Sequence, residues 1–138
     1  MNDSKIASKR WKRSSKSVFN IGYHLVWCPK YRRKVLTDGK DIRLKELLME
    51  KAIAMGWEIE SMEVMPDHVH LFVRADPTDS PHWIVQQLKG YSSKIMRREF
   101  ADLTSRLPTL WTRSYFCGSV GHISEESVKK YIEEQKGK

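Results

Sequence analysis

Cysteine is scarce in this chain. Cys28 and Cys117 lie far apart with no C-x-x-C spacing, which excludes a zinc ribbon and a disulfide framework and leaves two small buried hydrophobes as the expectation. Long apolar runs are missing as well. No segment approaches the ~20 residues a membrane helix needs, and the start of the chain has no apolar stretch of the kind a secretory signal carries. The expectation is a cytoplasmic protein of a bacterial or archaeal cell, without membrane association. Internal repeats are absent, so the 138 residues are read as one domain with one core.

Acid is missing where base is dense. The formal net charge is +8, and it is concentrated. Residues 1–17 hold Lys5, Lys9, Arg10, Lys12, Arg13 and Lys16 against Asp3, and residues 28–36 hold Lys30, Arg32, Arg33 and Lys34 with no acid at all. The rest of the chain is close to neutral. Two basic blocks in a chain with five Trp and five Tyr suit a phosphate-bearing partner, a nucleic acid. Residues 1–17 have no periodicity and are read as a flexible basic arm, with the domain spanning 18–138.

Period-two alternation predicts a strand over 18–28, with Phe19, Ile21, Tyr23, Leu25 and Trp27 on one face. A helix is expected over 41–55, capped by Asp41 and stopped by Gly56. A strand over 57–65 changes apolar phase near Ser61, which implies a bulge. Pro66-Asp67 then turns tightly into a strand over 68–75, an antiparallel neighbour. Ser80 and Pro81 open a helix whose stripe is Ile84, Leu88, Tyr91 and Ile95. A loop over 101–112 leads to a short strand over 113–117. Gly118 and Gly121 bracket a linker, and the last helix runs over 124–135 with Ser124 as N-cap and Ile123 stapled on Val128. Its inward stripe is Val128, Tyr131, Ile132 and Gln135.

The stretch Met65-Pro66-Asp67-His68-Val69-His70-Leu71 carries the chemistry. On a strand, His68 and His70 share one face and Val69, Leu71 and Val73 the other. Two neutral imidazoles side by side suit a divalent metal, although taken alone such a motif is more often a structural pair. An oxygen donor such as Gln135 would complete a mixed nitrogen/oxygen site with open positions, the kind that can polarise a phosphoryl oxygen. Tyr131 stands one turn before Gln135 on the same helix face. Opposite the histidines, its phenol could attack a phosphodiester and conserve the bond as a phosphotyrosine.

The residues Tyr23-His24-Leu25-Val26-Trp27-Cys28-Pro29-Lys30-Tyr31-Arg32-Arg33, Met62 to Leu71, Leu88-Lys89-Gly90 and Tyr131-Ile132-Glu133-Glu134-Gln135 occur in this order over nearly the whole of 18–136. This pattern resembles the TnpA-type transposases of the insertion sequence 200/605 family, the single-tyrosine HUH nucleases. The resemblance implies an α+β fold: a ferredoxin-like or RRM-like antiparallel sheet with packed helices and a C-terminal catalytic helix. It implies that His68, His70 and Gln135 bind Mg²⁺ or Mn²⁺, and that Tyr131 forms a 5′-phosphotyrosine link to single-stranded DNA. It further implies hairpin-bearing DNA ends as partners and a homodimer whose active sites can be composite. Arg32, Arg33, Lys89, Lys94, Arg97 and Arg98 are candidate DNA-backbone contacts from charge alone. Two other readings share these residues: a host-domesticated tyrosine nuclease that processes palindromic repeats, and a non-catalytic nucleic-acid-binding module with structural histidines.

Overall fold

The computed structural model describes residues 12–13, 18–119 and 125–138. Two short strands, β1 (Lys12–Arg13) and β2 (Val18–Phe19), pair antiparallel with each other. The remainder of the basic arm lies outside the described residues. The main sheet holds β3 (Gly22–Trp27), β4 (Glu58–Met65), β5 (His68–Arg74) and β6 (Phe116–Ser119), in the order β4-β5-β3-β6 with every pair antiparallel. The helices are α1 (Lys40–Met55), α2 (Pro81–Glu99), α3 (Ala101–Ser105) and α4 (Glu125–Glu134). This is the α+β architecture expected. The strand expected over 18–28 is divided at Asn20–Ile21: β2 pairs with β1, and β3 with the main sheet.

One sheet face is dry. Leu25, Trp27, Val69, Leu71 and Val73 are fully buried on it, against Leu44, Leu47 and Leu48 of α1 and Ile84, Leu88 and Met96 of α2. Burying each such side chain contributes roughly 1.5–3 kcal/mol, so this layer is the main source of stability. The β4–β5 register slips between Ile59 and Ser61, the bulge expected from the phase change. The slip returns Met62 and Val64 to the core side, opposite Leu71 and Val69.

The helix ends follow local chemistry. Gly39, not Asp41, caps α1, with φ +91° and no side-chain cap; Asp41 sits in the first turn, where its charge suits the helix dipole. At the other end Gly56 takes φ +80°, and the amides of Gly56 and Trp57 donate to Ile53 O and Ala52 O at 3.1 and 2.8 Å. That is a Schellman ending, for which a residue without Cβ is preferred. Ser80 Oγ accepts from the Trp83 amide at 3.1 Å with Pro81 in the first turn of α2. Ile84 and Leu88 are buried as expected; Tyr91 and Ile95 flank the stripe, which continues through Ser92 and Met96. The buried Ser92 hydroxyl is satisfied: it donates to Leu88 O at 2.7 Å and accepts from Trp111 Nε1 at 3.2 Å.

The last strand forms at 116–119 rather than 113–117. Thr112 and Ser114 make their own turn instead, with the Ser114 amide donating to Thr112 Oγ1 at 3.2 Å. Short hydroxyl side chains compete with a sheet ladder in this way. Gly118 is therefore a buried strand residue opposite His24, not part of a linker. Gly121, Ile123 and Ser124, with the cap and staple expected there, lie outside the described residues. None of the described helices is long and apolar enough to cross a membrane.

Candidate active site

Strand β5 splits its side chains as its alternation requires. Val69, Leu71 and Val73 enter the core, while His68, His70 and Phe72 are half-buried on the opposite face. That face is covered by α4. A cavity of about 330 Å³ lies between them, walled on the sheet side by His24, Glu63, His68 and His70 and roofed by Val128 and Ile132.

The imidazoles are held by their neighbours. Asp67 Oδ1 lies 3.0 Å from His68 Nδ1, which directs His68 Nε2 away from the carboxylate. His70 Nε2 lies 3.3 Å from His24 Nδ1, so one ring donates and the other accepts. Burial lowers the pKa of both His24 and His70; His70 lowers His24 further, and Glu63 pulls His70 back up against His68. Neutral rings are the metal-binding form. Asp67 is in turn gripped by Arg32, whose Nε is 3.4 Å from Oδ2 and whose Nη1 donates to Ile132 O on α4 at 3.3 Å. Arg32 thus links the histidine strand to the last helix, from a 3-10 turn (Lys30–Arg32) in which Tyr31 and Arg32 both have positive φ, 62° and 52°.

Tyr131 and Gln135 face a different group. The Tyr131 hydroxyl is 2.8 Å from Ser114 Oγ, and its ring packs at 6.1 Å from Phe116. Gln135 is buried, as a polar residue on an apolar stripe requires partners to be. Its Oε1 accepts from Ser114 Oγ at 2.9 Å and its Nε2 donates to Tyr131 O at 3.2 Å. Burial pushes the Tyr131 phenol up to about 12, with the Ser114 hydrogen bond opposing.

The expected residues therefore gather on one face of the sheet, but not in one cavity. His68 and His70 open into the cavity; Tyr131 and Gln135 turn from the same helix toward Ser114. As metal donors, the two imidazoles suit a divalent ion, and Gln135 is in this arrangement committed to Ser114. Among the described residues no three His, Cys, Asp or Glu side chains form a metal-binding group.

The cationic candidates separate. Arg33, Lys94 and Arg98 are exposed. Lys89 is not free: its Nζ donates to Thr112 O at 2.6 Å and Ser114 O at 3.1 Å, and burial lowers its pKa to about 8. Arg97 Nη1 donates to Leu107 O at 3.0 Å, tying down the segment after α3. Three residues went unread in the sequence: His24, Asp67 and Ser114. Asp67 borders His68 and His24 alternates with the core residues of β3, so those two had a signal; Ser114 had none.

A solved structure of a transposase from Deinococcus radiodurans R1 superposes with a TM-score of 0.82 at 35% identity, over 92% of this chain and 99% of that one. The ISDra2 transposase TnpA of Deinococcus radiodurans is 39% identical over 123 residues, 88% of each chain. The transposase for insertion sequence element IS200 of Salmonella typhimurium is 29% identical over 142 residues, 99% of this chain and 88% of that one. A REP-associated tyrosine transposase, solved bound to a REP hairpin, shares the fold at 11% identity with a TM-score of 0.55. The protein is thus of the DNA transposase class, a DNA-processing enzyme. The family model for IS200-like transposases matches residues 17–135, and the chain belongs to that family.

Proposed function

We propose that this transposase cuts and rejoins single-stranded DNA at hairpin-bearing element ends through Tyr131. The observation that carries this reading is the placement of the Tyr131 helix directly over the His68/His70 face. In the reaction, the Tyr131 phenol oxygen bonds to phosphorus and gives up its proton. The bond from phosphorus to the preceding nucleotide's 3′ oxygen breaks, that oxygen takes a proton, and a 3′-OH is freed. The 5′-phosphotyrosine conserves the bond energy, so a second strand end can reverse the step without a nucleotide cofactor.

His68 and His70, with Gln135 after release from Ser114, would hold Mg²⁺ or Mn²⁺. Bound there, the cation supplies Lewis acidity toward a phosphoryl oxygen. Asp67 fixes the His68 ring, and Arg32 keeps Asp67 beside it. The hairpin bound by the REP-associated relative supports a hairpin substrate here. The active unit is a homodimer in which one protomer's Tyr131 helix can serve its partner's histidines; the separate facing of Tyr131 and His68 within one chain favours this.

Covalent trapping tests the reading. Hairpin-bearing single-stranded DNA with Mn²⁺ gives a denaturation-resistant adduct with the parent protein and none with Tyr131→Phe; an adduct in that variant overturns the nucleophile. Cleavage unaffected by chelator overturns the metal. Mixed His68→Ala and Tyr131→Phe subunits regain activity as heterodimers, and failure to do so in proven heterodimers removes the composite site. A domesticated nuclease would have the same residues and be distinguished by its DNA target, a palindromic repeat in the chromosome.

A further inference from the structure

A second and larger cleft, about 700 Å³, lies apart from the histidine cavity, between α2 and residues 108–115. None of the described residues lining it is acidic, while Lys30, Lys89 and Arg113 are basic. Tyr31 stands in its wall with 37% of its surface exposed, an unusual setting for an aromatic ring. The ring is held there by the strained turn: Tyr31 and the next residue both sit in the left-handed region, which side chains with a Cβ disfavour. The turn is pinned by the Lys30 amide donating to Leu110 O at 2.8 Å. Lys30 Nζ and the Arg33 guanidinium lie 5.3 and 5.9 Å from the ring centre. Across the cleft a second flat pair, His82 and Tyr115, has ring centres 5.9 Å apart. Between the two aromatic groups the helix presents Gly90, where an added Cβ would meet nothing within 4 Å, and the exposed amide of Gln86.

Exposed flat rings, an open notch and cations without acids are the parts of a single-strand binding surface. Stacking needs a base whose face is free, and cations beside the ring suit the phosphates on either side of it. A duplex offers its bases only edge-on. We propose that this cleft is a second DNA site that takes an unpaired nucleotide of the substrate strand, its base stacked on Tyr31 and its phosphates toward Lys30 and Arg113. The proposal rests on the single-strand reading above and adds to it a place where the strand is gripped away from the histidines.

The test uses the full chain with fluorescein-labelled oligodeoxythymidylate, which forms no hairpin, and the same oligomer carrying 5-iododeoxyuridine. Tyr31→Leu weakens binding about tenfold by anisotropy, and Tyr31→Trp restores it. Gly90→Leu, which the helix accommodates and which fills the notch, weakens binding by a similar factor. Photo-cross-links map to Tyr31 or Tyr115. Parental binding in both Tyr31→Leu and Gly90→Leu overturns the proposal, as do cross-links confined to the histidine face. Failure of the two readings is distinguishable. A Tyr131 adduct in the parent, with unchanged oligomer binding in both Tyr31→Leu and Gly90→Leu, removes the cleft alone. No adduct in the parent, with binding lost in Tyr31→Leu, removes the cleavage reading and keeps the cleft.

Discussion

Ser114 and Tyr131 meet hydroxyl to hydroxyl at 2.8 Å, and the same Ser114 oxygen lies 2.9 Å from Gln135 Oε1. Ser114 has a single hydroxyl proton. An amide oxygen can only accept, so the proton goes to Gln135, and the Tyr131 phenol must donate to Ser114. One serine therefore accepts from the phenol and occupies the oxygen that would otherwise be free to ligate a metal. Lys89 steadies that serine from below through its backbone carbonyl.

Removing the Ser114 hydroxyl leaves the buried Gln135 Oε1 without its donor. Ser114→Ala is expected to lower stability by about 1–2 kcal/mol, the penalty for an unsatisfied buried acceptor. Urea denaturation measures this directly. A midpoint identical to the parent's would mean that Gln135 finds another donor or leaves its pocket at no loss.

The phenol's elevated pKa predicts the pH profile. With Tyr131 pushed up to about 12 against an ordinary value of about 10, the phenolate is rare at neutral pH and grows about tenfold per pH unit. The initial rate of adduct formation should climb from about pH 7 to about pH 9 without levelling. A plateau within that range would mean that a base or a cation lowers the phenol in the working complex. For stability the sign is the reverse: the contribution of the buried phenol is complete below about pH 10 and is lost as pH rises through about 12.

Asp67→Asn should weaken Mn²⁺ binding about 10- to 100-fold, because a neutral amide orients the His68 ring less firmly. Isothermal titration of the full-length protein reads the affinity without any turnover. Unchanged affinity would assign Asp67 to the Arg32 link alone.

The histidine pair was legible because a strand's period of two needs no tertiary knowledge: once β5 is a strand, Val69 and Leu71 face the core and His68 and His70 cannot. The bulge at Ser61 was legible for the same reason, as a break in that period. His24 was not, since its approach to His70 depends on the β3–β5 register, which pairs Val26 with His70 across 44 residues of chain. Nor was Ser114, whose residue type suits the end of a strand as well as a turn; the Thr112 hydroxyl decides between them. Gln135 was legible as part of the inward stripe, but which group it meets depends on how α4 lies on the sheet. Charge alone did not show the carbonyl partners of Lys89 and Arg97, because long aliphatic stems let a charged head reach backbone carbonyls that no helical pattern reveals.

That division of the cations makes Lys89 and Lys94 separable by experiment although they stand five residues apart on one helix. Lys89 donates to the carbonyls of Thr112 and Ser114; Lys94 is exposed. Lys89→Ala leaves the partly buried Thr112 carbonyl without its donor and should lower stability by about 1–3 kcal/mol. Lys94→Ala should stay within about 0.5 kcal/mol of the parent, as surface substitutions do. Binding of single-stranded DNA should respond in the opposite sense. If Lys94 meets a phosphate, Lys94→Ala lowers the slope of log affinity against log salt by about 0.7. Denaturation and salt-dependent anisotropy on the two variants decide both points. An unchanged salt slope in Lys94→Ala would place the phosphate track elsewhere, with Arg33 and Arg98 the exposed cations left to test.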